Sequence, residues 1–218
     1  FAAGEIYANP AITQRLLDDA HFNIEQWLAD QLEAEFNKQE TIAFISGDGT
    51  NKPRGLLTYV TGGASETTHP GGVLTVETAA SATAVAADEL VTLMYNLAAP
   101  YRQNATWLMN SVTGGEIARL KDANGAYIWR ESFMVGQPPT LLGRPVEFDE
   151  AMPSSAAGLI AIAFGDFKSG YLINDRIGSR ILRDPYTNKP FVQFYATKRV
   201  GGGVADPNAI RLLKMAAV

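Results

Sequence analysis

The segment Phe44–Leu57, FISGDGTNKPRGLL, sets two glycines around a carboxylate, Gly47-Asp48-Gly49, with Lys52 close behind. Glycine, lysine and carboxylate in close order are the materials of phosphate and metal sites. A phosphate-binding loop, however, follows a strand and ends in Gly-Lys-Ser/Thr, so that backbone N–H groups and the lysine converge on phosphate. Here the order is Gly-Asp-Gly-Thr-Asn-Lys-Pro, and the pattern upstream is helical. The dinucleotide pattern fails too, because Lys52 stands where the third glycine belongs. The stretch is read instead as a hinge motif made by Gly47, Asp48, Gly49, Pro53 and Gly55. Glycine past a helix end supplies a left-handed cap. Asp48 can cap its own turn through its side chain, and Pro53 cannot extend a helix.

The other chemical groups give no stronger signal. Asp122, Asn124 and Gly125 echo part of a calcium loop but lack the spaced ligands and closing glutamate, so they read as a turn. A serine–histidine pair would need His21 or His69 as base. His21 lies at a helix start, His69 lies in a glycine-rich loop, and no Gly-x-Ser-x-Gly elbow exists. The carboxylate pairs Asp18-Asp19 and Asp149-Glu150 are adjacent in sequence, and nothing sets either pair across a cleft for acid–base work. Asp18-Asp19 reads as a helix N-cap. With no cysteine, thiolate catalysis, disulfides and cysteine-bound zinc are excluded. No catalytic, cofactor-binding or metal-binding residue is expected. One modest basic group remains, Arg176, Arg180 and Arg183 with Lys198-Arg199, which reads either as a subunit contact or as a solvated sheet face.

The chain that would position these groups has 218 residues, 46% hydrophobic and 19% charged. That is enough to bury a sizeable core, in one large domain or two lobes. A net charge of −5 argues against a generally basic nucleic-acid binder. No run approaches the ~20 apolar residues of a membrane span. The first residue is Phe1, not Met, and Phe-Ala-Ala-Gly-Glu is not a signal peptide, so the chain is read as starting inside a longer product.

Helical spacing of Ile24, Leu28, Leu32, Phe36 and Ala43, with Trp27 and Ile42 beside them, predicts a long helix over about residues 20–46. At 1.5 Å per residue it would run roughly 35–40 Å. Its polar side is assigned Glu25, Asp30, Glu33, Glu35, Lys38 and Glu40. Residues 61–83, rich in Gly, Thr and Ser, read as a surface loop. Asp88–Ala99 reads as helix, Ala105–Asn110 as a buried strand, and Ser111 to about Lys121 as a short helix. Strands are expected at Leu141–Phe148, Leu159–Phe164, Tyr171–Ile173 and Arg180–Arg183. Phe191–Val200 alternates by parity and is expected to end at Gly201-Gly202-Gly203. Ala209–Met215 reads as the last strand. The class is α+β.

The ordered motifs go further. The chain resembles the major capsid protein of tailed phages, of the Hong Kong ninety-seven type, as found in phages, prophages and gene transfer agents. The resemblance starts at Ile12–Asp19 and runs through the long helix into Phe44–Leu57, which is similar to that family's signature after its spine helix. It continues at Trp107-Leu108-Met109-Asn110, at Leu120–Tyr127, and at Leu142-Gly143-Arg144-Pro145-Val146. Phe164-Gly165-Asp166-Phe167 precedes Tyr171 as that family has it. Arg199-Val200-Gly201-Gly202 and Asp206-Pro207-Asn208-Ala209-Ile210 match its C-terminal strands.

The resemblance implies a peripheral domain from residues 1–55 and 176–218 that contains the spine helix, and an axial domain from 56–175. It implies an N-terminal arm and an extended hairpin, the E-loop, largely ahead of this chain, with Phe1–Pro10 read as the hairpin's final strand. The implied function is a structural subunit that assembles with copies of itself into pentamers and hexamers around double-stranded DNA. Portal, scaffold or decoration proteins would be further partners, and assembly would take place in the bacterial cytoplasm. Candidate subunit contacts are Trp27, Arg176, Arg180, Arg183 and Arg199. Some relatives cross-link through a glutamate in the C-terminal sheet; Thr197 falls near that place, so no self-cross-linking is expected. An encapsulin-like nanocompartment shell is the alternative, and a carboxylate-based hydrolase a more distant one.

Overall fold

The computed structural model describes residues 3–19, 21, 23–121, 125, 127, 129 and 139–217. In chain order the elements begin with β1 (Ala3–Ala8), β2 (Ala11–Thr13), α1 (Gln14–Asp19), α2 (Ile24–Ser46), β3 (Thr75–Thr78), α3 (Ala87–Asn96) and α4 (Ala99–Arg102). There follow β4 (Thr106–Met109), α5 (Ser111–Ala118), β5 (Thr140–Leu141), β6 (Arg144–Phe148) and β7 (Ile160–Gly165). Last come α6 (Phe167–Gly170), β8 (Tyr171–Asp184), β9 (Phe191–Val204) and β10 (Ile210–Lys214). The chain forms two compact units, the first from Phe1–Gly55 and Ile173–Gly203, the second from Leu56–Leu172 and Val204–Val218. The sequence reading placed 204–218 in the first unit. The structure puts them in the second, because β10 pairs there with β3 and β7.

In the first unit β9 is the organising strand. β1 pairs antiparallel with it from Ala3↔Gly201 to Ala8↔Ala196, and β2 from Ala11↔Gln193 to Thr13↔Phe191. Both hold one register, interrupted at Pro10, which has no N–H to give the ladder. β8 pairs with β9 as well. The expected parity of β9 holds: Val192, Phe194 and Ala196 are buried, whereas Phe191 and Tyr195 are exposed. The expected stop at Gly201 does not. β9 continues through the three glycines to Val204, and the Arg54 N–H donates to the Gly202 carbonyl there, at 3.2 Å. Two short strands were expected within 171–184, and the structure has a single strand, β8, across the whole span.

Helix α2 starts later than its sequence implied. Asn23, not Asp18 or Asp19, is the N-cap, its side chain accepting from the Gln26 N–H at 3.1 Å. Asp18 and Asp19 end the separate helix α1. Ile24, Phe36 and Ile45 are the buried apolar residues of α2, and Glu40, assigned to the polar side, is buried with them.

The second unit is built on a six-stranded mixed sheet in the order β3-β10-β7-β4-β6-β5. Its central strand β7, IAIAFG, is buried along its whole length, which accounts for its unbroken run of small and apolar residues. Leu90, Leu93 and Leu97 from α3 and the turn after it join Trp107, Met109, Ile117, Ile162, Phe164 and Leu213 in one core. Strand β3 lies inside the segment read as a surface loop; its TVET sequence has no apolar alternation, and parallel pairing with β10 makes it a strand. The helix expected over Asp88–Ala99 ends at Asn96, and Pro100 stands in the first turn of the short helix α4.

Candidate functional site

The hinge motif is a tight backbone knot. The Gly47 N–H donates to the Ala43 carbonyl at 2.9 Å, and the Gly55 N–H donates to the Gly47 carbonyl at 2.7 Å. Gly47 itself is extended at φ −63, so it is not the left-handed cap; Gly49, at φ +82, is the left-handed residue. Gly47 and Gly55 are required for a different reason. A Cβ on Gly47 would stand 2.5 Å from the Ala43 carbonyl oxygen, and one on Gly55 would stand 2.6 Å from the backbone of Ile45. Asp48 Oδ1 accepts from the Thr50 N–H at 2.9 Å, and Lys52 Nζ lies 3.7 Å from it. The Thr50 N–H, chiefly, holds the Asp48 carboxyl below the usual carboxylate range, with the Lys52 charge adding to it. The Asp48 carboxylate and the Gly47 and Gly55 backbones thereby serve the turn.

The histidines and carboxylate pairs are likewise engaged or isolated. His69 Nδ1 accepts from the Gly71 N–H at 3.0 Å, and its Nε2 donates to the Ala205 carbonyl at 3.1 Å. His21 is exposed. Asp149 Oδ1 accepts from the Ala151 N–H at 2.9 Å, and the Ser111 hydroxyl donates to Glu150. Among the described residues no cluster of three His, Asp or Glu side chains is arranged to hold a metal ion. Asp122 and Asn124 lie outside the described residues.

The candidate contact residues divide. Trp27 is 52% exposed on α2, and Arg176 and Arg180 are exposed on β8. Arg183 reaches Glu25 of α2 at 3.1 Å. Ser179 and Ile181 line a small cleft with α2, so strand alternation turns Arg176 and Arg180 to the other face of the sheet. Arg199 is half-buried, opposite Glu5 on β1. A polar pair that sequence reasoning missed, Glu40 and Lys198, ties α2 to β9. The signal was present: Lys198 shares the buried parity of Val192, Phe194 and Ala196.

In the second unit, two indoles hold one hairpin. Trp107 Nε1 donates to the Leu141 carbonyl at 2.9 Å, and Trp129 Nε1 donates to the Thr140 carbonyl at 2.8 Å. Nearby, the Tyr101 hydroxyl donates to Asp206 Oδ2 at 2.6 Å. These are stabilising contacts of a scaffold that displays edges and loops.

The model of the phage capsid family matches residues 1–215. The chain belongs to that family. Among solved structures, this capsid protein is similar to the capsid of the native GTA (gene transfer agent) particle computed with C5 symmetry, at 47% identity and a TM-score of 0.89 over 99% of this chain and 73% of that one. The capsid of the empty GTA particle gives 47% identity and a TM-score of 0.88, over 98% of this chain and 74% of that one. Mycobacterium phage Bobi matches in fold at 19% identity and TM-score 0.67, over 99% and 73% of the two chains. The SrpI encapsulin of Synechococcus elongatus PCC 7942 does so at 16% and 0.68, over 98% and 74%. No curated protein matches. The α+β fold expected from the motifs is therefore the fold found, and the capsid protein is a structural shell subunit. Among the described residues no helix is long and apolar enough to cross a membrane.

Proposed function

We propose that this chain is the major shell tile of a gene transfer agent or a related phage-derived particle, closing with its own copies as pentamers and hexamers into an icosahedral shell around double-stranded DNA. The observation that carries this reading is the 47% identity to GTA capsid chains over 98–99% of the chain. The first unit would serve as the peripheral domain and the second as the axial domain. Trp27, Arg176, Arg180, Arg183 and Arg199 remain candidate subunit contacts, each weak alone and effective through multivalent closure. A net charge of −5 suits a wall that encloses DNA without gripping its sequence. Portal, scaffold and decoration proteins are the further partners, and the bacterial cytoplasm is the place of assembly. Thr197 does not supply a general base, so the shell would be held without self-cross-links. No enzymatic activity is assigned.

The encapsulin alternative rests on fold likeness at 16% identity. Electron microscopy of the protein made from its own gene tests both readings. Closed particles containing double-stranded DNA support the proposal; closed particles filled with an enzyme cargo and no DNA would transfer it to the encapsulin branch. A soluble monomer under all assembly conditions would overturn it.

A further inference from the structure

We propose that a cleft in the first unit, between α2, β1 and the hinge segment, is a binding site for a neutral apolar molecule about the size of one aromatic ring. The inference goes beyond the shell-subunit reading and does not depend on it.

The cleft holds about 190 Å³. Its walls are Ile6 of β1, Ala43 of α2, Pro53 of the hinge segment and Val200 of β9. An aliphatic cavity of about 150 Å³ is room enough for benzene. The exposed residues Gln39 and Lys52 stand at the mouth, so a guest enters without unfolding the chain.

The walls are fixed before any guest arrives. β1 keeps its register with β9 through Gly4↔Val200 and Ile6↔Lys198. At Gly4 the strand meets the hinge segment so closely that an added Cβ would stand 2.6 Å from the Asn51 carbonyl oxygen. The bond from the Gly55 N–H to the Gly47 carbonyl ties down the far end of that segment. A preformed and mostly apolar hollow is the usual form of a small-molecule site, because binding then costs little ordering.

The charges around the cleft select the guest. Glu40, buried at its inner end, is matched by Lys198. Lys52, at the mouth, lies 3.7 Å from Asp48. Glu5 stands across the ladder from Arg199. Each charge already has an opposite one beside it. A charged guest would therefore carry an unmatched charge into a poorly hydrated place. A neutral apolar guest instead displaces water from apolar walls.

Toluene is the probe, with benzoate and benzylamine as charged companions carrying the same ring. A guest that touches β1, α2 and the hinge segment together binds only the folded unit. In the protein made from its own gene, amides of β1 and of residues 50–52 should exchange about tenfold more slowly when toluene is about ten times above its dissociation constant. The melting temperature should rise by about 2–5 °C under the same conditions. Ala43→Leu fills the cleft and should abolish both effects. Exchange that is unchanged up to the solubility limit of toluene overturns the site. So does protection confined to the second unit, equal protection by benzoate or benzylamine, or an undiminished response in a folded Ala43→Leu variant. If Ala43→Leu does not fold, exchange in the wild-type protein with the three probes decides alone.

Discussion

Lys198 Nζ lies 2.7 Å from Glu40 Oε1 and 2.8 Å from Oε2, with both side chains largely out of water at 15% and 10% exposure. The Oε2 contact has hydrogen-bond geometry, and the Oε1 contact is the ionic one. Removing one partner strands the other charge in a poorly hydrated place. Glu40→Gln or Lys198→Met alone should therefore destabilise the chain by about 3–5 kcal/mol, whereas Glu40→Leu/Lys198→Met together should be far milder. Urea denaturation of the three variants measures this. If the single and double variants prove equal, the pair contributes nothing specific.

The glycine knot makes a graded prediction. Gly47→Ala and Gly55→Ala drive a Cβ into backbone and should each cost about 1–3 kcal/mol. Gly49→Val puts a β-branched residue at φ +82 and should cost a similar amount, about 1–3 kcal/mol. Asp48→Asn keeps the oxygen that accepts from Thr50, so thermal melts and particle yield should match wild type. A large functional loss from that change alone would restore a chemical role to Asp48.

Trp107→Phe keeps an aromatic ring near Phe164, against which Trp107 packs at 4.2 Å between centroids, and removes the indole N–H together with part of a fully buried ring system. The Leu141 carbonyl is then left buried without its donor, a loss of about 1–3 kcal/mol. Hydrogen exchange should show faster opening of β5 and β6 specifically. Uniform loosening across the second unit would mean that the indole acts through packing.

The Tyr101–Asp206 bond predicts a pH signature. The Tyr101 hydroxyl, followed by the Asn208 N–H, holds the Asp206 carboxyl below the usual carboxylate range. Stability from this group is therefore present above the unfolded carboxylate value near pH 4 and is lost as pH falls through the lower folded one. The same bond, chiefly, raises the Tyr101 hydroxyl above its ordinary value, so its contribution is present below about pH 10 and fades above it. Tyr101→Phe should be less stable at pH 7 and should lose less further stability on acidification to pH 3. Parallel curves for the two proteins would show that the bond does not couple to protons.

The sequence was most legible where one face decides an element. The parity of Phe191–Ala196, the buried run at Ile160–Gly165 and the apolar spacing across α2 each point to the element that forms. Legibility failed where a distant partner decides. Thr75–Thr78 becomes a strand because β10 lies beside it, and Gly201–Gly203 stay in β9, where β1 pairs with Gly201 and the Arg54 N–H donates to the Gly202 carbonyl. Local propensity cannot report either neighbour. The glycines of 47–55 stood out in the sequence as turn formers, but the separate reasons for Gly47, Gly49 and Gly55 were visible only in backbone distances and dihedrals. Leu142 lies in the Leu-Gly-x-Pro-Val stretch, and only the structure shows its left-handed backbone at φ +52.

Strand β9 also sets a clock on synthesis. β1 is synthesised well before its partner residues, Ala196–Gly201, which come nearly 200 residues later. At about 5–20 residues per second the first strand waits roughly 10–40 s before it can pair. A product that terminates early has no β9, hence no place for β1, β2 or β8 to dock. Translation through β9 is thus a condition for the sheet of the first unit, and a chain that stops before it leaves β1, β2 and β8 without the strand they share.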